Sequence, residues 1–192
     1  TFAFSSIAQV GYMLLGLGIG TAAGISAGYL HMLNHAIIKG ALFLCVGAFW
    51  YRYGITRVSD FRGLGKMMPW TMGAFTIGGL SLIGVPLTAG FVSKLNLTLA
   101  AMDKGWWWAA AIIMLTSILA IVYIGRMLLA AYFQSPPEVD GAVVTKNEAP
   151  LMMLIPMWTL AIISLIIGID AEWVVKAASG AANVLLGGGG AL

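Results

Sequence analysis

Four basic side chains stand in stretches of this sequence that are otherwise apolar: His31, His35, Lys39 and Lys94. The first three are spaced i, i+4 and i+8, so on one α-helix they fall along a single stripe. Leaving aside Tyr29 and Cys45, they are the only ionisable groups between Ala27 and Trp50. Histidine titrates near neutrality, and a lysine taken out of water gives up its proton more readily. Such groups can exchange protons at physiological pH. Ser5, Ser6, Gln9 and Tyr12 form a polar stripe at helical spacing. Their hydroxyls and amide suit either a water-assisted proton path or the hydrogen bonds that hold two helices together.

Other uses of the same residues follow from their positions. His31, nearer the end of its stretch, equally suits a hydrogen-bonded structural histidine. His31 and His35 have the i, i+4 geometry of a metal pair, but no third ligand or carboxylate stands near them in the sequence, so no metal site is expected. Arg126 lies close enough to the end of an apolar run to snorkel as an anchor, or to serve the path. The single Cys45 has no partner in the chain and reads as a small buried apolar residue. No phosphate loop, nucleophile elbow or dinucleotide fingerprint appears, and neither a catalytic centre nor a cofactor is expected.

The elements that must position these groups are set by composition. Of 192 residues, 60% are hydrophobic and 9% charged, with a mean hydropathy of +0.95. A soluble domain is about a quarter charged. The apolar blocks reach the length a helix needs to cross a hydrocarbon core roughly 30 Å thick, and the strict alternation of a spanning strand is absent. The chain therefore reads as an all-α integral membrane protein in contact with the lipid bilayer. Its net charge of +3 includes no basic stripe for nucleic acid. Residue 1 is Thr, and nothing resembles a signal peptide, so the sequence reads as a fragment or one piece of a split protein.

Five spans are expected, at about 2–20, 25–50, 70–101, 105–133 and 150–169, within a transmembrane domain of 1–170 followed by a weakly amphipathic tail, 171–192, whose last ten residues are expected to be disordered. Gly20 to Gly24 is expected to turn between the first two. The third span is too long to be straight and is interrupted by Gly84-Val85-Pro86 and again by Gly90. It reads as a discontinuous helix broken near 84–90, with Ser93 and Lys94 just beyond the break, and such a break is tolerated at membrane depth only where protein or water satisfies the backbone. A lysine near the bilayer centre costs about 2.5–3.5 kcal/mol on insertion scales, so Lys39 and Lys94 call for a function. Broken helices in transporters mark ion sites. Residues 52–69 form a polar loop carrying Arg52, Arg57, Arg62 and Lys66 against Asp60. The positive-inside rule makes that loop cytoplasmic.

Several ordered motifs now combine. They are Ser-Ser-Ile-Ala-Gln-Val-Gly-Tyr-Met at 5–13, His-x-x-x-His-x-x-x-Lys at 31–39 with Leu42-Phe43-Leu44, Gly63-Leu64-Gly65-Lys66 with Met68-Pro69, and Gly84-Val85-Pro86 leading to Gly90-Phe91-Val92-Ser93-Lys94. Together they resemble the antiporter-like membrane subunits shared by respiratory complex I and Mrp-type cation/proton antiporters, over nearly the whole chain. The resemblance implies a fold of about fourteen helices with two inverted repeats, each holding a broken helix and a buried charge. This chain is similar to most of the second repeat plus the last helix. Lys94 then matches the charge of the second broken helix, and His31, His35 and Lys39 match the relay on the preceding span. Ser-Lys-Leu-Asn-Leu at 93–97 and the 120–133 segment with Tyr123, Arg126 and Tyr132 are most similar to the Mrp D-type subunit.

What the resemblance implies is a proton-conducting subunit of a cation/proton antiporter in a prokaryotic inner membrane, with Na+ as the candidate second cation. Its partners would be other membrane subunits, including the first repeat that this sequence lacks. The alternative within the family is a proton-pumping subunit of an NADH:quinone oxidoreductase, whose redox cofactors lie on other chains. From another class, a purely structural membrane subunit remains open, although it would gain nothing from an expensive buried lysine.

Overall fold

A computed structural model describes residues 2–136, 138–139, 142–143 and 146–187, with only the backbone described at 138–139 and 142–143. Its elements are α1 (Phe2–Ile19), α2 (Ala22–Tyr53), α3 (Leu64–Met67), α4 (Pro69–Ile83), α5 (Ala89–Asp103), α6 (Trp107–Phe133), α7 (Leu151–Ile169) and α8 (Glu172–Leu185). A two-residue antiparallel ribbon pairs β1 (Glu138–Val139) with β2 (Ala142–Val143) between α6 and α7. The fold is all-α, as composition requires. Helices α1, α2, α6 and α7 are each long and apolar enough to cross a membrane, and the fifteen-residue α4 and α5 make the broken third span.

The helix carrying His31, His35 and Lys39 is the hub: α2 packs against α1, α4, α5, α7 and α8. It starts earlier than its apolar pattern suggests. Thr21, in extended geometry, accepts the Gly24 N–H at 3.1 Å as an N-cap, so the expected turn at 20–24 shrinks to Gly20 and Thr21. At the other end Gly54, at φ 63°, closes the helix by donating to the Trp50 carbonyl at 2.8 Å. The resulting 32 residues rise about 48 Å, beyond the hydrocarbon thickness at one or both ends. Gly16 and Gly28 let α1 and α2 touch backbone to backbone, since a Cβ on Gly16 would lie 2.7 Å from Gly28 Cα.

Residues 52–69 are more ordered than a polar loop. Phe61 and Leu64 are buried, pinning a 3₁₀ turn at Val58–Phe61 and the short α3. Phe61 closes an aromatic triangle with Phe49 and Phe75, at centroid separations of 5.4 to 5.7 Å. The tail differs too. Its residues 172–185 form α8, which buries Val174, Ala178 and Ala182 at i, i+4 and i+8 and ties Ser179 to Ser26 of α2 at 3.1 Å. The expected disorder of the last ten residues is thus overturned at 183–185, while 188–192 lie outside the described residues.

Candidate functional site

The site is built on the break between α4 and α5. Helix α4 ends with four carbonyls that have no partner within the helix. Those of Leu80 and Ser81 accept the N–H groups of Gly84 and Val85, at 3.0 to 3.1 Å. Those of Leu82 and Ile83 accept the Lys94 ammonium at 2.9 and 2.8 Å, and Ser117 of α6 accepts its third hydrogen at 3.0 Å. The Ser117 hydroxyl donates to Ile113, so toward Lys94 it can only accept. Three acceptors match the three donors of a charged lysine. The sequence holds no Asp or Glu before Asp60 or between Asp60 and Asp103. Among the described residues no carboxylate pairs with Lys94, and the ammonium faces the negative end of the α4 dipole, roughly half an elementary charge.

Glycines make this geometry possible. Gly84 sits at φ 93°, and a Cβ there would come 3.1 Å from Lys94 Cδ. Gly90 is not a second interruption as expected: it is helical, in the first turn of α5, and a Cβ on it would overlap the Ser81 carbonyl. Its N–H donates to Ser81 Oγ at 3.1 Å, and Ser81 Oγ pairs with Ser164 Oγ of α7 at 2.9 Å. Pro86 lies exposed in the break itself.

From Lys94 a polar cluster extends to α1 and α2. His31 is 3% exposed, with Nδ1 at 3.0 Å from Ser93 Oγ and Nε2 at 2.9 Å from Gln9 Oε1. The edge of Tyr12 meets its ring at 5.1 Å, and Lys94 Nζ stands 5.8 Å from the centre of the Tyr12 ring. The Tyr12 hydroxyl is hydrogen-bonded to Thr116 of α6. Four helices and one half-helix end thus converge on Lys94 and His31.

Lys39 belongs to a second cluster, two turns further along α2. It is 5% exposed, donates to the Phe2 carbonyl at 2.8 Å and to Ser5 Oγ, and lies 5.2 and 5.7 Å from the ring centres of Phe2 and Phe43. His35 connects the clusters. Its ring is stacked on His31 with centroids 6.4 Å apart, and its buried Nδ1 has no hydrogen-bond partner among the described residues. Ser6 does not reach across; its hydroxyl returns to the Phe2 carbonyl at 3.2 Å. Arg126 is exposed on α6, nine residues and about 13 Å along that helix from Ser117.

Three contributors carry weak sequence signals. Ser117 and Thr116 are isolated hydroxyls in an apolar helix, where the ordinary expectation is a bond to their own backbone. Asn34, fully buried, donates to the Ala89 carbonyl at 2.7 Å and so joins α2 to the start of α5. Its place between His31 and His35 is the one signal available.

The family described as NADH:quinone oxidoreductase/Mrp antiporter, TM, matches residues 1–120. The chain belongs to this family. It is 39% identical over 183 residues to the NADH-quinone oxidoreductase subunit N of Desulforudis audaxviator, covering 91% of this chain and 36% of that protein. It is 32% identical over 166 residues to the D-type subunit of the Na(+)/H(+) antiporter of Alkalihalophilus pseudofirmus, covering 86% and 33%. Among solved structures, the Mrp complex from Dietzia sp. DQ12-45-1b superposes with a TM-score of 0.86 at 28% identity, over 94% of this chain and 41% of that one. The chain thus spans about a third of the length of these curated relatives. This family member is an integral membrane, antiporter-like chain whose relatives are subunits of larger assemblies.

Proposed function

We propose that this family member conducts protons across the membrane, with Lys94 as the switching charge and His31, His35 and Lys39 passing protons laterally to or from it. The observation that carries this reading is the setting of Lys94: a buried ammonium held by two carbonyls of a broken helix and one hydroxyl, with no carboxylate paired to it among the described residues. Loss of the proton leaves one of those three acceptors without a donor, so the two protonation states differ in how they hold α4, α5 and α6 together. Ser93, next to Lys94, touches His31, and His35 continues the row toward Lys39. The membrane domain at 1–170, with 171–192 appended, would work with a first repeat and other subunits. We place the assembly in a prokaryotic inner membrane, with loop 52–69 cytoplasmic from its excess of Arg and Lys.

As the coupled reaction we favour cation/proton antiport of the Mrp D kind, with Na+ as the candidate cation, supported by the 93–97 and 120–133 segments and by the Mrp superposition. The 39% identity to a subunit N supports a second reading, a proton-pumping subunit of an NADH:quinone oxidoreductase. The subunits that co-purify with the full-length protein discriminate the two: Mrp-type partners alone, or flavin and iron-sulfur proteins. Lys94→Ala in the full-length assembly should abolish ion-coupled proton transport and leave the complex intact on a native gel. Undiminished transport would sink the assignment.

A further inference from the structure

We infer that Gln9 is a positioning residue that sets the tautomer of His31, holding the proton on Nε2 and turning the lone pair of Nδ1 toward Ser93. The inference rests on the proton-path reading above for its consequence, but not for its geometry. Gln9 is 6% exposed and His31 3%, so no bulk water competes for the ring nitrogens. Gln9 presents its carbonyl oxygen, which can only accept, at 2.9 Å from Nε2. That nitrogen must then carry the hydrogen, and in a neutral ring Nδ1 becomes the acceptor.

The opposite edge of the ring accommodates this, because the Ser93 hydroxyl has a choice of acceptors. Ser93 Oγ lies 3.0 Å from Nδ1, nearer than its own helix carbonyls of Gly90 at 3.2 Å and Ala89 at 3.4 Å. A hydroxyl donating to Nδ1 is the arrangement that a protonated Nε2 requires. The acceptor edge of His31 therefore faces the residue that precedes Lys94. A carboxamide is also an uncharged side chain that can reverse this order. Turned by half a rotation, its NH2 would meet Nε2, the ring would carry its hydrogen on Nδ1, and Ser93 would donate back to Gly90. Apolar side chains of the same length offer neither arrangement.

The test is nitrogen NMR of 15N-histidine-labelled, full-length protein in lipid, with His31 assigned by its loss in His31→Phe. The wild type should show a pyrrole-type Nε2 and a pyridine-type Nδ1. Gln9→Met, which keeps length and removes both polar atoms, should reduce the preference for the Nε2 tautomer roughly tenfold, about what one net buried hydrogen bond contributes to an equilibrium. Gln9→Glu keeps an acceptor and should leave Nε2 protonated. A hydrogen on Nδ1 in the wild type, or an unchanged Nε2 preference in Gln9→Met, would overturn the inference. If Gln9→Met scrambles the tautomer and leaves proton transport at the wild-type rate, the tautomer assignment stands and the relay role of His31 falls.

Discussion

The two buried lysines solve the same problem with different parts of the backbone. Lys94 stands at a helix break and takes two carbonyls that the break itself has released, plus Ser117. Lys39 stands on an uninterrupted helix, where its neighbours' carbonyls are already used, and borrows one carbonyl from the first turn of α1, the Ser5 hydroxyl and two aromatic faces. Breaking a helix is thus a way to create acceptors at membrane depth, and the lysine that fills them becomes part of the helix end. Lys94 is coupled to backbone geometry, whereas Lys39 is coupled mostly to side chains.

The sharpest way to break this contrast is to add one methyl group beside each lysine. Gly90→Ala drives a Cβ into the Ser81 carbonyl, so the two half-helices must separate and the acceptors of Lys94 move with them. Gly40→Ala, next to Lys39, meets only the tip of Leu160 at 2.9 Å, which can rotate away, and alanine improves helix propensity by about 1 kcal/mol. Gly90→Ala should therefore lose more than about 3 kcal/mol, beyond ordinary overpacking, and Gly40→Ala should stay within about 1 kcal/mol of wild type. Thermal unfolding of the full-length protein in detergent measures both. Equal losses would mean that the break has no special hold on Lys94.

Removing the charges themselves gives the next largest difference. Each Lys→Met relieves a burial penalty of about 2.5–3.5 kcal/mol. Lys94→Met leaves the Leu82 and Ile83 carbonyls without donors, at about 1–3 kcal/mol each, which cancels the relief. Lys39→Met leaves a Phe2 carbonyl that still has the Ser5 and Ser6 hydroxyls at 3.0 and 3.2 Å. The Lys39 variant should unfold at the higher temperature, with a gap of about 2 kcal/mol, and the reverse order would refute the coupling of Lys94 to the end of α4.

Much of this arrangement is legible in the residues alone, and the unread part has a common cause. The spans are long apolar blocks with charged or aromatic flanks, and the break announces itself by Gly84 and Pro86. Lys94 and the α2 stripe stand out because ionisable groups are expensive in lipid. The true start of α2 is hidden because a glycine-rich segment suggests a turn, while the Thr21 cap outweighs that tendency. The role of Gly90 escapes a local reading for a similar reason: its small size serves close approach, and nothing nearby in the sequence distinguishes that from a break. Asn34, Ser81, Thr116 and Ser117 reach partners on other helices, and those contacts depend on how each helix is rotated. Helix rotation is set by packing of the whole bundle, which no short window of residues records.

The smallest test compares the two hydroxyls. Ser117→Ala removes one of the three acceptors of Lys94 and leaves an ammonium hydrogen buried without a partner, since its other two are committed to carbonyls. A hydrogen bond to a charged group contributes about 1.5–3 kcal/mol. Ser5→Ala takes an acceptor from Lys39, but the Phe2 and Phe43 rings at 5.2 and 5.7 Å remain to receive the charge, at about 0.5–2 kcal/mol. Ser117→Ala should thus destabilise the protein by about 1 kcal/mol more than Ser5→Ala in urea or thermal unfolding. It should also change proton transport more, because the affected lysine is the one whose proton holds three helical segments together. If Ser5→Ala proves the more damaging of the two, the centre of the site moves from the break to the α1–α2 contact, and Lys39 replaces Lys94 as the switching charge.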